Sequence, residues 1–187
     1  MKKTVFALAA SAAALAIPAA AHAQQAEPFI GVSGGYHDLS VEGEVEDEFP
    51  GVEINDGSAI VGGFAGVDFL AGGNFFIGAE ANFHIGTDAV DSEYGASARI
   101  GIRDAGGAKY YLRGGYQEVN LDFANIIEIP GVEVTDDDFV GIDDTAGDYL
   151  VGAGAEFPLG ETTFLRVNVD TIGFDSARAT AGFGLRF

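Results

Sequence analysis

The sequence predicts an all-β chain: eight antiparallel strands closed into an up-and-down barrel that crosses a membrane. Three observations carry this. Apolar and polar residues alternate with a period of two from Phe29 onward, tight turns alternate with longer connections, and every arginine falls on the face opposite the apolar one. A strand turns successive side chains to opposite faces, so such alternation leaves one apolar side and one polar side.

The first segment is read as an export signal. Lys2 and Lys3 precede a 13-residue apolar run, Val5 to Ile17, and Ala21-His22-Ala23 fits a small-x-small cleavage site. A spanning helix needs about 20 residues, so cleavage after Ala23 is favoured over an anchor. The expected mature domain is 24–187, which shifts the formal charge from −20 to −22 by loss of two lysines. That balance excludes nucleic acid as a partner. With no cysteine, packing and hydrogen bonds must hold the exported domain.

The last strand alternates most clearly, with Ala177, Ala179, Ala181, Phe183, Leu185 and Phe187 opposite Arg178, Thr180, Gly182, Gly184 and Arg186. Upstream, the apolar faces begin with Ile30, Val32 and Tyr36 in the first strand and Val61, Ala65, Val67 and Phe69 in the second. Ile77, Ala79, Ala81, Phe83 and Ile85 follow in the third, and Tyr94, Ala96, Ala98, Ile100 and Ile102 in the fourth. Tyr110, Leu112 and Tyr116 mark the fifth; Tyr149, Val151, Ala153, Ala155 and Phe157 the sixth; Leu165, Val167 and Val169 the seventh. Ile60, Phe64, Tyr111 and Phe164 break the pattern.

Ala71–Asn74, Asp104–Gly107 and Pro158–Glu161 have turn chemistry. The other connections, 40–57, 86–93, 119–147 and 172–176, are expected to be longer and to share the opposite end. Gly34-Gly35-Tyr36 recurs as Gly114-Gly115-Tyr116, and Pro50-Gly51-Val52-Glu53 as Pro130-Gly131-Val132-Glu133, both at an offset of 80. Ala96 to Arg103 likewise resembles Ala179 to Arg186, which favours duplication of a four-strand unit.

A soluble barrel would turn its apolar face inward and need bulky residues to fill it. This apolar face is thin, rich in alanine and glycine, while Arg99, Arg103, Arg113, Arg166, Arg178 and Arg186 share the other side with Glu80, Asp148, Glu156 and Asp170. Phe69, Phe75, Tyr110, Phe157 and Phe187 gather at the short-turn end. Tyr36, Phe83, Tyr94, Tyr116 and Tyr149 gather at the other, as two interfacial girdles. The expected lumen is a polar plug of Glu80, Arg99, Arg113, Glu156, Arg166 and Asp170. A structural core of reversed polarity is favoured over an ion path or gate, because unpaired charges in a narrow interior are costly.

On these residues the chain resembles the porin-family outer membrane β-barrel proteins, the small barrels similar to the OmpA membrane domain, OmpX and opacity proteins. The resemblance implies a monomer in the bacterial outer membrane, surrounded by its lipids and lipopolysaccharide. The closing Ala181 to Phe187, with Phe183, Leu185 and Phe187 on one face, is similar to the signal such proteins present to the barrel assembly machinery.

The resemblance leaves activity open. A structural or cell-surface interaction role with an unspecified partner is favoured, and a narrow passive channel for small solutes or cations is the alternative. Some small barrels act on lipid A through His with Ser or Asp, and here His37 beside Ser33 is the nearest approach. Neither His37 nor His84 has a diagnostic serine motif beside it, so no enzyme is expected. No cofactor is expected either. The acidic connections could take a divalent cation, with Asp136, Asp137, Asp138, Asp143 and Asp144 as the candidate ligands. Solvated acidic loops are the favoured explanation.

Overall fold

The computed structural model describes residues 26–40, 53–54, 56–122, 127–128 and 145–187. The expected signal segment and all five candidate aspartates, Asp136 to Asp138, Asp143 and Asp144, lie outside the described residues. Among the described residues there are ten strands: β1 (Ala26–Asp38), β2 (Glu53–Ile54), β3 (Gly57–Leu70), β4 (Phe75–Gly86), β5 (Val90–Arg103), β6 (Lys109–Leu121), β7 (Ile127–Glu128), β8 (Thr145–Pro158), β9 (Thr163–Ile172) and β10 (Ser176–Arg186). Eight of them close in the order β1-β10-β9-β8-β6-β5-β4-β3. Chain neighbours are therefore sheet neighbours, and β1 pairs with β10 to remove the last edge. Closure satisfies the backbone without water, as a wall bathed in hydrocarbon demands.

The wall is greasy outside and polar inside. Val32, Leu112 and Val169 are each about two-thirds exposed, whereas Arg166 and Arg178 are almost fully buried. At the short-turn end Tyr110 meets Phe157 edge-on at 6.2 Å, and at the opposite end Tyr116 meets Tyr149 in the same way. These outward rings sit where the bilayer interface would fall.

The four residues that broke the sequence pattern point into the lumen. Ile60, Phe64, Tyr111 and Phe164 are all buried, and Phe29, Phe64 and Phe164 form an apolar cluster with ring centroids 6.2–6.4 Å apart. The lumen is thus not purely polar, contrary to expectation. Room for the rings comes from glycine directly across the strand pair: Phe64 opposes Gly31, Phe29 opposes Gly66 and Phe164 opposes Gly184. A Cβ on Gly31 would lie 2.3 Å from Phe64 Cζ, so the ring needs that absence.

Two connections expected to be long are tight. Residues Gly173 and Phe174 both have positive φ (67° and 68°), and Asp175 N donates to Ile172 O, which makes a tight turn within the three-residue connection between β9 and β10, whose ends Ile172 and Ser176 pair. Between β4 and β5 only Thr87–Ala89 intervene, and the buried Ser58 Oγ accepts from the N–H groups of Thr87 and Asp88 at 3.2 Å each. The polar run Asp91-Ser92-Glu93 had read as loop. A β-bulge between Val90 and Ser92 shifts the register there, and lets Val90 and Glu93 both face inward. Ile127–Glu128 pairs with Glu53–Ile54 from the other long connection.

Val32 lies mid-strand on the lipid side. Val32→Arg should destabilise the barrel by about 2–4 kcal/mol in urea titrations in phosphatidylcholine vesicles. Val32→Leu should change it by less than about 0.5 kcal/mol.

Candidate functional site

Inward positions on every barrel strand build one chain of ion pairs along the lumen. At the short-turn rim Glu27 meets Arg103 and, at 2.9 Å, Lys109 Nζ. Lys109 also holds Asp68 at 2.5 Å, and Asp68 takes Arg99 through both carboxylate oxygens, Oδ1 to Nε at 2.7 Å and Oδ2 to Nη2 at 2.6 Å. Arg99 then reaches Glu80 at 3.2 Å and Glu156 at 2.9 Å. Arg166 binds the same two carboxylates, Glu80 at 2.7 Å and Glu156 at 2.7 Å. The Arg166 guanidinium also lies 3.8 Å from the centroid of Phe64, and that of Arg99 4.4 Å from Phe29, so the aromatic cluster backs the charged layer.

The chain continues toward the other end. Arg113 Nη1 donates to Glu80 at 2.9 Å, while its Nε lies 3.0 Å from Asp170 without hydrogen-bond alignment. Arg178 joins Asp170 at 3.0 Å to Glu93 at 2.5 Å. Glu93 sits between two imidazoles, with His37 Nδ1 at 2.8 Å and His84 Nδ1 at 3.1 Å. Beyond them His37 Nε2 faces Ser176 Oγ at 3.2 Å, and His84 Nε2 faces Ser33 Oγ at 2.8 Å.

Two of these contacts pass directly over a glycine of an intervening strand. Gly78 of β4 stands between Asp68 and Arg99, and Gly152 of β8 stands between Arg113 and Asp170. A Cβ on Gly78 would come within 2.3 Å of Asp68 Oδ1, and one on Gly152 within 2.1 Å of Asp170 Oδ1. Glycine in the middle strand is what lets carboxylate and guanidinium meet over it.

All six residues singled out in the sequence, Glu80, Arg99, Arg113, Glu156, Arg166 and Asp170, are placed in this one network. Sequence reasoning missed Glu27, Asp68, Glu93, Arg103, Lys109, Arg178 and Arg186 as members. Lys109 and Arg178 already lay on the polar face, and continuing the two-residue period through Asp68 would have found it. Glu93 falls in the expected connection 86–93 but is buried on β5. Asp148, also expected inside, is exposed at the rim of β8. Phe183, Leu185 and Phe187 face outward on and just beyond β10.

Ser33 partners His84, not the neighbouring His37. Ser33–His84–Glu93 and Ser176–His37–Glu93 have the connectivity of a nucleophile, base and orienting acid. Their surroundings oppose that chemistry. Ser33, His84 and Glu93 are buried, and Glu93 is already engaged by Arg178. Ser176 Oγ donates to Ile172 O, and the nearby Asp148 and Asp175 would repel a developing oxyanion. Among the described residues, no three His, Asp or Glu side chains are grouped to hold a metal ion.

With the barrel and its lumen described, the family follows. The model of the outer membrane protein β-barrel domain family matches residues 7–187. The chain belongs to that family. As a member it is an integral outer membrane protein. The N-terminal β-barrel domain of Pseudomonas aeruginosa OprF is similar in fold, at 13% identity and a TM-score of 0.53, over 88% of this chain and 98% of that one. Ail, the attachment invasion locus protein of Yersinia pestis, solved with the heparin analogue sucrose octasulfate, is similar at 12% identity and a TM-score of 0.52, over 87% and 97%. No curated protein sequence matches.

Arg166→Leu leaves two buried carboxylates short of a cation, and should cost about 3–5 kcal/mol in the same urea titrations. Adding Glu156→Gln to Arg166→Leu should recover part of that loss. If the double variant is no more stable than Arg166→Leu alone, these side chains are not coupled as their geometry implies.

Proposed function

We propose that the protein works at its outer surface, as a monomeric barrel that presents acidic connections to a cationic partner. The observation that carries this reading is the partition of charge. Seven of the nine basic residues line the lumen with six carboxylates, and the other two are Lys2 and Lys3. Twenty-one of the 29 acidic residues fall at or beyond the strand ends opposite the tight turns 71–74, 104–108 and 159–162, or on the outward wall near them. No Lys or Arg occupies the connecting sequence at that end. Such a one-sign field attracts cations and repels anions at long range.

Ail is named for attachment and invasion, and its structure holds a sulfated, anionic ligand. The shared fold supports attachment as a type of work, whereas the charge here calls for a partner of opposite sign. The filled lumen argues against the alternative of a passive channel, because paired ions and three phenylalanines occupy its cross-section. The outward Phe183, Leu185 and Phe187 suit a terminal signal read by the assembly machinery.

Two measurements test this in zwitterionic lipid. Decalysine should bind the barrel in nanodiscs by calorimetry, weakening as salt is raised, while a sulfated oligosaccharide should give no heat. Failure of decalysine at low salt, or equal binding of the polyanion, would overturn the surface reading. In planar bilayers the protein should be silent, and stable unitary steps would restore the channel.

A further inference from the structure

A cavity of about 340 Å³ opens at the loop end of the barrel, at the lower limit of small-ligand sites. Its wall is mostly apolar, with Leu39, Val119, Leu121 and Ile172, and its polar lining comes from His37, Asp148, Asp175 and Ser176. Asp148 and Asp175 approach the same point: the position a Cβ on Gly173 would take lies 3.0 Å from Asp148 Oδ2 and 3.5 Å from Asp175 Oδ2. Among the described residues neither carboxylate has an ion-pair partner, and the guanidinium of Arg178, two residues beyond Ser176 on β10, is committed to Glu93 and Asp170. Two like charges therefore face a shared, apolar-walled space with no cation of the barrel between them. The floor is fixed, because His37 is held from below by Glu93 and from the side by Ser176.

We infer that this mouth cavity binds a primary alkylammonium, the chemistry shared by a lysine side chain and a free aliphatic amine. The inference deepens the surface reading above and rests on it. An ammonium has three N–H donors, and the lining offers Asp148, Asp175 and the Ser176 hydroxyl oxygen as acceptors. The alkyl stem lies along the apolar wall, where a bare inorganic cation would gain nothing. A sulfate or carboxylate ligand would meet only repulsion here.

The test uses the full barrel in phosphatidylcholine nanodiscs, with the amide resonances of Asp148, Gly173 and Asp175 followed by NMR. The probes are n-butylammonium, N-acetyl-lysine amide, and n-butanol as the neutral isostere. Both ammonium probes should give saturable shifts at these three amides, and butanol should give none. Asp148→Asn with Asp175→Asn should weaken binding roughly ten-fold or more, since each substitution removes a charged acceptor. Both positions are at the rim, so the double variant should keep the heat-resistant mobility of the folded barrel on electrophoresis. Saturation by butylammonium alone keeps the site and names free amines as its source. Shifts of equal size with butanol, shifts unmoved by the double substitution, or no saturable shifts would each overturn the site. Decalysine affinity separates the two levels: binding of decalysine that ignores the double substitution leaves the surface reading standing without this site.

Discussion

Charge neutralisation inside a closed wall is the constraint on which the structure depends. Hydrocarbon outside requires outward positions to be apolar, and the two-residue period of a strand then sends every retained charge inward. A narrow interior cannot hydrate those charges, so they must pair. Register decides how. Arg166 lies directly opposite Glu156 and Arg178 directly opposite Asp170, while Arg99 and Arg113 reach their carboxylates across the glycine of an intervening strand. A slip of one residue in β9 would turn Arg166 into lipid and Val167 into the lumen. The ion-pair chain therefore does more than fill space: it fixes how each strand meets its neighbours.

Much of this was legible from parity alone, because parity needs only one strand at a time. The outward faces, the two aromatic girdles and the inward arginines all follow from counting by twos. What the sequence hid depends on two strands together. Phe64 breaks the alternation of its own strand and fits the lumen only because Gly31 lies opposite it, and Asp68 reaches Arg99 only because Gly78 separates them. Glu93 was lost for a different reason. Its neighbours Asp91 and Ser92 have loop chemistry, and the bulge beside them changes the count. The hairpin at Gly173–Phe174 was hidden likewise, since Phe at a left-handed position is not the usual signature of a tight turn.

The lumen and the outer end solve opposite electrostatic problems. With neutral histidines, seven cations against six carboxylates leave the lumen at about +1, so nearly all of its charge is compensated. Since the chain's formal charge is −20, the groups outside the lumen carry −21. Water and salt screen a charged outer rim, so repulsion there costs little compared with one unpaired ion within. Basic residues at the mouth would weaken the field that this segregation creates.

The two related halves of the chain differ most in lumenal charge. Residues 26–103 contribute Glu27, Asp68, Glu80 and Glu93 against Arg99 and Arg103, a balance of −2. Residues 109–186 contribute Glu156 and Asp170 against Lys109, Arg113, Arg166, Arg178 and Arg186, a balance of +3. Similar environments persist elsewhere: Tyr36 packs over Gly57 as Tyr116 packs over Gly147. Inside, however, Arg113–Glu80, Arg166–Glu80, Arg99–Glu156, Lys109–Asp68 and Arg178–Glu93 all cross between halves. A barrel made from two copies of one half would trap −4 or +6 in the same narrow space. Opposed charge thus makes each half complementary to the other and unsuited to itself, which favours closure within one chain over pairing of like halves from two chains.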